Sequence, residues 1–428
     1  MRVSRSMFRP AAALLMALML GLLAGCQRPV VLMPTPLVFA SGEVDPFADT
    51  RDELRTPDLP VFYATNREVL VQYPLPVHTI FPSPTLRFGM AHFDVGEPGF
   101  TWDQLHALST SAKEGDRPAL RLRRLDQLAE LGPSDNAAES RQMQAFFALV
   151  NRALANSPVH EIVVYVHGAN NAMHRGTGQA AQFRHFAGRN VVVLSFVWPS
   201  AERLRTYGMD LRHAHESQPQ FARLITMLGE NTTAKKIDVM AYSAGATVAT
   251  GGLALLGTPR PGESREQLKE RLRLGVVYYA APDADTRGFV SDLERYADLA
   301  DRVTVTANMG DATLRLAQRH QGSSRIGRPD PTELNEEQAR FLIDASERMG
   351  FDLIKLDPVV LPGLRRMAHT YWQTDTWISS DMFTLFRYHG DPAARGLVPV
   401  TLPGGGRFWE FPKDYDQRIV GLMKGVER

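Results

Sequence analysis

From residue 161 onward, short unbroken runs of β-branched and aromatic residues alternate with stretches whose apolar positions recur every three or four residues. "EIVVYVHG" (161–168), "NVVVLSFVWPS" (190–200), "KIDVMAY" (236–242), "LGVVYYAAPDAD" (274–285) and "RVTVTANMGD" (302–311) read as strands buried on both faces. Between them, 179–187, 201–229 and 244–256 read as helices, the second with a loop near Ser217-Gln218-Pro219. The alternation predicts an α/β fold: a doubly wound, mostly parallel sheet with helices on both faces. Upstream, "LRFGMAHFDV" (86–95) reads as a strand. "ALRLRRLDQLAEL" (119–131) and "SRQMQAFFALVNRALA" (140–155) carry leucines and aromatics at helical spacing. They predict a helical insertion over about 101–155, with Arg121–Arg124 on its solvated face. Downstream, "DLIKLDPVV" (352–360) reads as a strand, and 402–425 as a turn, a short strand and a helix.

The N-terminus has a different texture. Arg2, Arg5 and Arg9 precede an apolar run from Ala11 to Leu23, too short for a comfortable membrane span and followed by small residues. That is the pattern of a secretory signal. Cys26, the chain's one cysteine, follows Leu23-Ala24-Gly25 directly and resembles the acylated cysteine of a bacterial lipoprotein. The expected organisation is a signal peptide over 1–25, a Pro-rich tether over 26–59 and one domain over 60–428. Several acyl chains, each buried CH₂ contributing about 0.8 kcal/mol, would make a stable membrane anchor. By resemblance to lipoprotein sorting signals, Gln27 rather than Asp after the cysteine favours the outer membrane, with the domain facing the periplasm.

Composition narrows the function classes. The 428 residues hold 48 Lys+Arg against 47 Asp+Glu, without a basic stripe or an acidic tail, so nucleic acid is not an expected partner. Loss of 1–25 removes three arginines and no acid, leaving 45 basic against 47 acidic side chains. No disulfide can form within the remaining chain, so stability has to come from the core.

Chemistry concentrates at one corner. Ser243 ends a buried strand and opens a helix of small residues, with Ala241 two positions before it and Gly245 two after. A nucleophile elbow needs small residues at those places because the chain doubles back sharply. The competing reading is an ordinary helix N-cap serine, worth about 1 kcal/mol. Partners follow in the order Ser, acid, His that the fold uses. Asp311 lies after the second strand beyond the elbow and is the leading acid, although it could simply cap the next helix. Asp283, one strand earlier, is the alternative. Among later histidines, His369 lies in a loop after a strand, His320 ends a helix, and His389 sits in a turn as the fallback. "YVHGANN" (165–171) places a His-Gly turn before the elbow, making the backbone N–H groups of Ala169 and Ala244 the candidate oxyanion-hole donors.

Taken in order, "VFYATNR", "VYVHGANN", "SFVWPS", "MAYSAG", "APDAD", "NMGDATL" and "MAHTYW" resemble a bacterial family of alpha/beta-hydrolase-fold proteins, esterase/lipase-like and largely uncharacterised in function. The resemblance covers about residues 61–375. It implies the alpha/beta-hydrolase fold, a Ser243–Asp311–His369 triad, and a small-molecule or lipid ester as substrate with no cofactor. Ala169 in place of an aromatic, Tyr242 in place of a histidine, and Thr313 between Ala312 and Leu314 depart from the family's pattern. The implied function is an envelope-anchored serine hydrolase of carboxylic esters. The alternatives are a non-catalytic lipoprotein that keeps the scaffold for binding or assembly, and peptidase or acyltransferase chemistry on envelope components through the same residues.

Two further patterns point elsewhere. "RGTGQAA" (175–181) fits a dinucleotide-binding glycine pattern but begins well after its strand ends, and reads as a loop. His213 and His215 are two apart and diverge on a helix, so no metal site is expected there.

Overall fold

A computed structural model describes residues 30–72, 75–112, 115–365 and 368–426. Cys26 and the signal segment 1–25 lie outside the described residues. Twelve strands form one sheet: β1 (Val30–Val31), β2 (Asp58–Gln72), β3 (Leu75–Val95), β4 (Ala119–Leu131), β5 (Glu161–Val166), β6 (Val192–Phe196), β7 (Lys236–Tyr242), β8 (Leu274–Ala280), β9 (Arg302–Ala307), β10 (Phe351–Lys355), β11 (Val398–Thr401) and β12 (Arg407–Glu410). Their order is β1-β4-β3-β2-β6-β5-β7-β8-β9-β10-β12-β11. Pairing is parallel from β2 through β12, and antiparallel at both ends, where β1, β4 and β3 meet β2 and where β11 meets β12.

The central parallel strands are mostly apolar because both faces are covered, with Asp238, Thr304, Thr306 and Asp352 among the buried exceptions. Ile162, Val164 and Val166 of β5 enter one core with Val239 and Phe221, while Val163 and Tyr165 enter the other with Met240 and Phe183. Side chains that alternate at a period of two thus serve two separate cores. The connection from β5 runs to β6 on one side, and β7 then pairs with β5 on the other. Such a reversal marks the carboxyl ends of β5 and β7 as the place where open α/β sheets bind their ligands.

Several local expectations give way to tertiary structure. Residues 119–131 form β4 rather than a helix, antiparallel to β3. Two bulges explain the misleading spacing. Arg123 falls between the pairs His92↔Arg124 and Phe93↔Leu122, and Leu128 between Phe88↔Ala129 and Gly89↔Gln127. Each extra residue converts a local period of two into three, so the leucines imitate a helix. The expected insertion at 101–155 therefore comprises a helix (Trp102–Ser109), β4 and a helix (Arg141–Ala155). Arg121, Arg123 and Arg124 project from a strand and pair with Glu97, with Asp58 and Asp94, and with Asp126.

Residues 30–59 do not hang free as a tether. Val30, Leu32, Met33, Val38, Phe39, Val44 and Phe47 are buried in one of the two cores or beside it. These apolar side chains offset the entropy of ordering a Pro-rich segment. The helix Tyr207–Asn231 runs through Pro219 without the expected loop. It lies so close to the helix Gly245–Leu256 that a Cβ on Gly252 would come 2.7 Å from Phe221 Cδ1 and 3.0 Å from Gln218 O. Close packing there outweighs the roughly 3 kcal/mol that an interior proline costs. Residues 175–181 also belong to a helix, Met173–Phe186, and not to a loop. A Cβ on Gly176 would meet His167 Cδ2 at 2.7 Å, and one on Gly178 would meet Val30 Cγ2 at 2.9 Å. Those glycines exist for packing.

Candidate active site

Ser243 stands at the tip of the turn that joins β7 to the helix Gly245–Leu256, with φ of 53°. A non-glycine residue in that region costs of order 1 kcal/mol or more and has to be held by its surroundings. Ser243 N–H donates to Ala280 O at 3.0 Å, and Ser243 O accepts from Ala246 N–H at 2.9 Å and Asp283 N–H at 3.0 Å. Two glycines allow the close approach. A Cβ on Gly245 would lie 2.5 Å from Val166 O, and one on Gly168 would lie 2.8 Å from Ser243 Cβ. The side chain is lifted above the sheet, at the positive end of the helix that follows.

Asp311 and His369 arrive from the next connections of the sheet. Asp311 follows β9, is fully buried, and caps the helix Ala312–Gln321 by accepting Leu314 N–H at Oδ1, 3.0 Å. Its Oδ2 accepts from His369 Nδ1 at 2.7 Å. A carboxylate can only accept, so Nδ1 carries the proton and Nε2 is free to accept. Ser243 Oγ donates to that Nε2 at 2.8 Å. Capping and imidazole orientation, competing readings of Asp311 from sequence, fall to its two different oxygens. The loop carrying His369 is held by Asn308 Nδ2, which donates to Ala368 O at 3.0 Å, and by Tyr371 OH against Thr306 Oγ1 at 2.9 Å. Tyr242, the residue before the serine, packs its ring 5.5 Å from that of His369.

Asp283 is not part of this chain of contacts. Its carboxylate accepts from Arg325 Nε at 2.6 Å and from Tyr207 OH, while its carbonyl accepts Thr247 Oγ1 at 2.9 Å. It clamps the segment after β8 and the start of the helix Tyr207–Asn231 to the elbow. His320 ends the helix after Asp311, its ring 6.2 Å from that of Tyr207. His389 pairs with Glu161, the first residue of β5, at 3.0 Å and so sits at the opposite edge of the sheet.

The turn after β5 faces the serine. Gly168 O accepts from His167 Nδ1 at 2.7 Å and from Asn171 Nδ2 at 2.9 Å. In a trans peptide the N–H points away from the carbonyl, so these bonds also fix the direction of Ala169 N–H. Among the described residues, neither Ala169 N–H nor Ala244 N–H has an acceptor. His167 lies flat on Trp198, ring centroids 5.2 Å apart at 11°, and Trp198 Nε1 donates to His167 O at 2.6 Å. Burial pushes the His167 imidazole down to about 3, so it remains neutral and serves as a hydrogen-bond donor.

An outer layer that sequence reasoning missed supports this turn. Arg67, fully buried, donates from Nη2 to Asn171 O at 2.6 Å and to Ser200 O at 3.0 Å. Burial brings its guanidinium down to about 10, still charged at neutral pH. Asp210 accepts Asn170 N–H at 3.2 Å and Ala201 N–H at 3.0 Å, and burial raises its carboxyl to about 6. Thr65 Oγ1 donates to Val197 O at 2.5 Å, and Asn66 Nδ2 to Ser217 Oγ at 2.9 Å. The block "ATNR" (64–67) is therefore a brace between β2, the β6 connection and the turn after β5. In the sequence these residues stand inside the block "VFYATNR" that carries part of the family resemblance, but nothing there gives them a bracing role.

Residues 142–383, over half of the 428, match the family described as alpha/beta hydrolase of unknown function (DUF900). The chain belongs to that family. The matched segment runs from the helix before β5 to the helix after His369, and so carries Ser243, Asp311 and the His167–Asn171 turn of this alpha/beta hydrolase. The β2–β3–β4 end of the sheet, with the bracing Arg67, lies outside the match. No curated protein matches the chain.

Proposed function

We propose that this alpha/beta hydrolase is an envelope-anchored serine hydrolase that cleaves a carboxylic ester through Ser243, His369 and Asp311. The observation that supports the reading most directly is the unbroken hydrogen-bonded run Ser243–His369–Asp311 at a strained elbow. In the proposed reaction, His369 Nε2 takes the Ser243 proton as Oγ bonds to the ester carbonyl carbon. Negative charge develops on the former carbonyl oxygen, which Ala169 N–H and Ala244 N–H stabilise. Collapse breaks the bond to the leaving alkoxide, which receives the proton from His369. Water, activated by the same imidazole, then releases the acid and restores Ser243. The preference for an ester or thioester over an amide rests on analogy of fold.

Incubation of the purified protein with a fluorophosphonate probe is expected to label the wild type and to leave Ser243→Ala unlabelled. A folded wild type that takes no label would overturn the hydrolase reading in favour of a non-catalytic binding or assembly lipoprotein.

The anchor is part of the same proposal. Since Val30 already pairs with Leu120 in the sheet, an acylated Cys26 would hold the body within about 14 Å of the outer-membrane surface, four extended residues at most. Cells fed a labelled fatty acid are expected to incorporate it into the wild type and not into Cys26→Ser. Label persisting in the variant would sink the anchor.

A further inference from the structure

We propose that Glu161, Asp238 and His389 form a divalent-metal site, suited to zinc, at the edge of the sheet opposite Ser243. The proposal does not depend on the hydrolase reading.

The three side chains come from separate parts of the chain. Glu161 opens β5, Asp238 lies on β7, and His389 ends the helix Thr376–Tyr388 with φ of 53°. One donor atom from each lies within 4.8 Å of the other two. His389 Nε2 and Glu161 Oε2 are 3.0 Å apart. Donors bound about 2.0–2.2 Å from a tetrahedral zinc ion stand roughly 3.3–3.6 Å from one another. The cluster therefore reaches that geometry through small side-chain shifts.

Asp238 points to a missing partner. It is fully buried, and its Oδ1 accepts Val276 N–H at 2.6 Å. Its Oδ2 is also buried and has no hydrogen-bond partner among the described residues. An unpaired carboxylate oxygen in the interior is costly, and a bound cation removes that cost. Gly275 belongs to this arrangement, because a Cβ there would lie 2.2 Å from Asp238 Oδ1.

Donor chemistry selects among ions. Two carboxylates and one neutral imidazole balance a charge of two. A nitrogen ligand fits zinc better than calcium or magnesium, which take oxygen. The Glu161 and His389 side chains are 15% and 29% exposed, which gives an ion access and leaves a water for the fourth position. Asp301, paired with Lys236 nearby, lies close enough to act electrostatically on both Asp238 and His389. Bound metal would tie the ends of β5 and β7 to the end of the helix Thr376–Tyr388. Its role would be structural, since these groups lie at the amino ends of strands whose carboxyl ends face the serine.

The test uses the tag-free, chelator-treated full chain. Titration with Co²⁺ is expected to give visible absorption of low-coordinate cobalt that saturates at one equivalent and is lost on adding Zn²⁺. Zinc at a hundredfold excess over its Kd is expected to raise Tm by about 3 °C. Glu161→Gln and His389→Asn, the latter suited to the left-handed backbone, are each expected to lose both signals. If one variant fails to fold, the other decides. A wild type without the absorption band, or a folded variant that keeps band and Tm shift, overturns the site.

Discussion

Asp311→Asn is expected to lower kcat on an activated ester by about 10⁴-fold while the protein stays folded. The amide oxygen of asparagine can still accept Leu314 N–H, which Asp311 Oδ1 now does at 3.0 Å, and asparagine is a good N-cap. The amide nitrogen would then face His369 Nδ1, where Asp311 Oδ2 accepts at 2.7 Å. Facing a donor, the imidazole moves its proton to Nε2 and can no longer receive the Ser243 proton; a triad in the wrong tautomer loses about 10⁴ in kcat. Asp283→Asn is expected to behave in the opposite way. It breaks a buried ion pair with Arg325, side chains 1% and 6% exposed, and should cost about 3–5 kcal/mol of stability. Its kcat, measured at a temperature where the variant is folded, should stay within tenfold. Steady-state kinetics and chemical unfolding of both variants check the pair. An Asp311→Asn enzyme that keeps more than a tenth of the activity would remove Asp311 from the proposed triad.

Gly245→Ala is expected to destabilise the protein by about 3 kcal/mol and to abolish serine labelling at temperatures where the wild type reacts. In an exposed helix interior the same change is worth about 1 kcal/mol in the other direction, so the sign is diagnostic. The new methyl would stand 2.5 Å from Val166 O and 2.6 Å from His167 O, both backbone atoms that cannot swing aside. Relief requires β5 and the elbow to part, which displaces Ser243 relative to the turn that carries Ala169. Overpacking of this kind typically costs about 1–3 kcal/mol, more where backbone is the obstacle. Denaturant unfolding that shows equal or greater stability would mean that the elbow and β5 do not approach this closely.

Much of this arrangement was legible in the linear chain because it depends on local rules. The parallel strands from β5 to β9 announce themselves as short runs rich in β-branched and aromatic residues, since both faces are covered, although Asp238, Thr304 and Thr306 are buried among them. Ser243 could be singled out because an elbow demands small neighbours, and Asp311 and His369 because the fold's connections fix their order. Chain order put Asp311 ahead of Asp283, and which of the two meets His369 depends on where strand ends lie in space. Each acid follows a strand and each is buried, but among the described residues only Asp311 of the two is hydrogen-bonded to an imidazole. The spacing of leucines in 119–131 pointed to a helix because two bulges on β4 shift its alternation, and bulges arise from pairing with β3. Periodicity reads one strand at a time.

The α/β alternation, the serine corner and the order of the acid and histidine after it can be read from the linear chain, because they are properties of short windows or of chain order. Tertiary structure alone decided that residues 30–59 pack into the body, that Pro219 stays inside a helix, and that Arg67 reaches 104 residues along the chain to brace Asn171. It also brought Glu161, Asp238 and His389 together from three distant segments. The physical reason is the same in each case. Which distant segments pack together, and which buried polar groups pair, is settled by neighbours in space that a residue's neighbours in sequence do not specify.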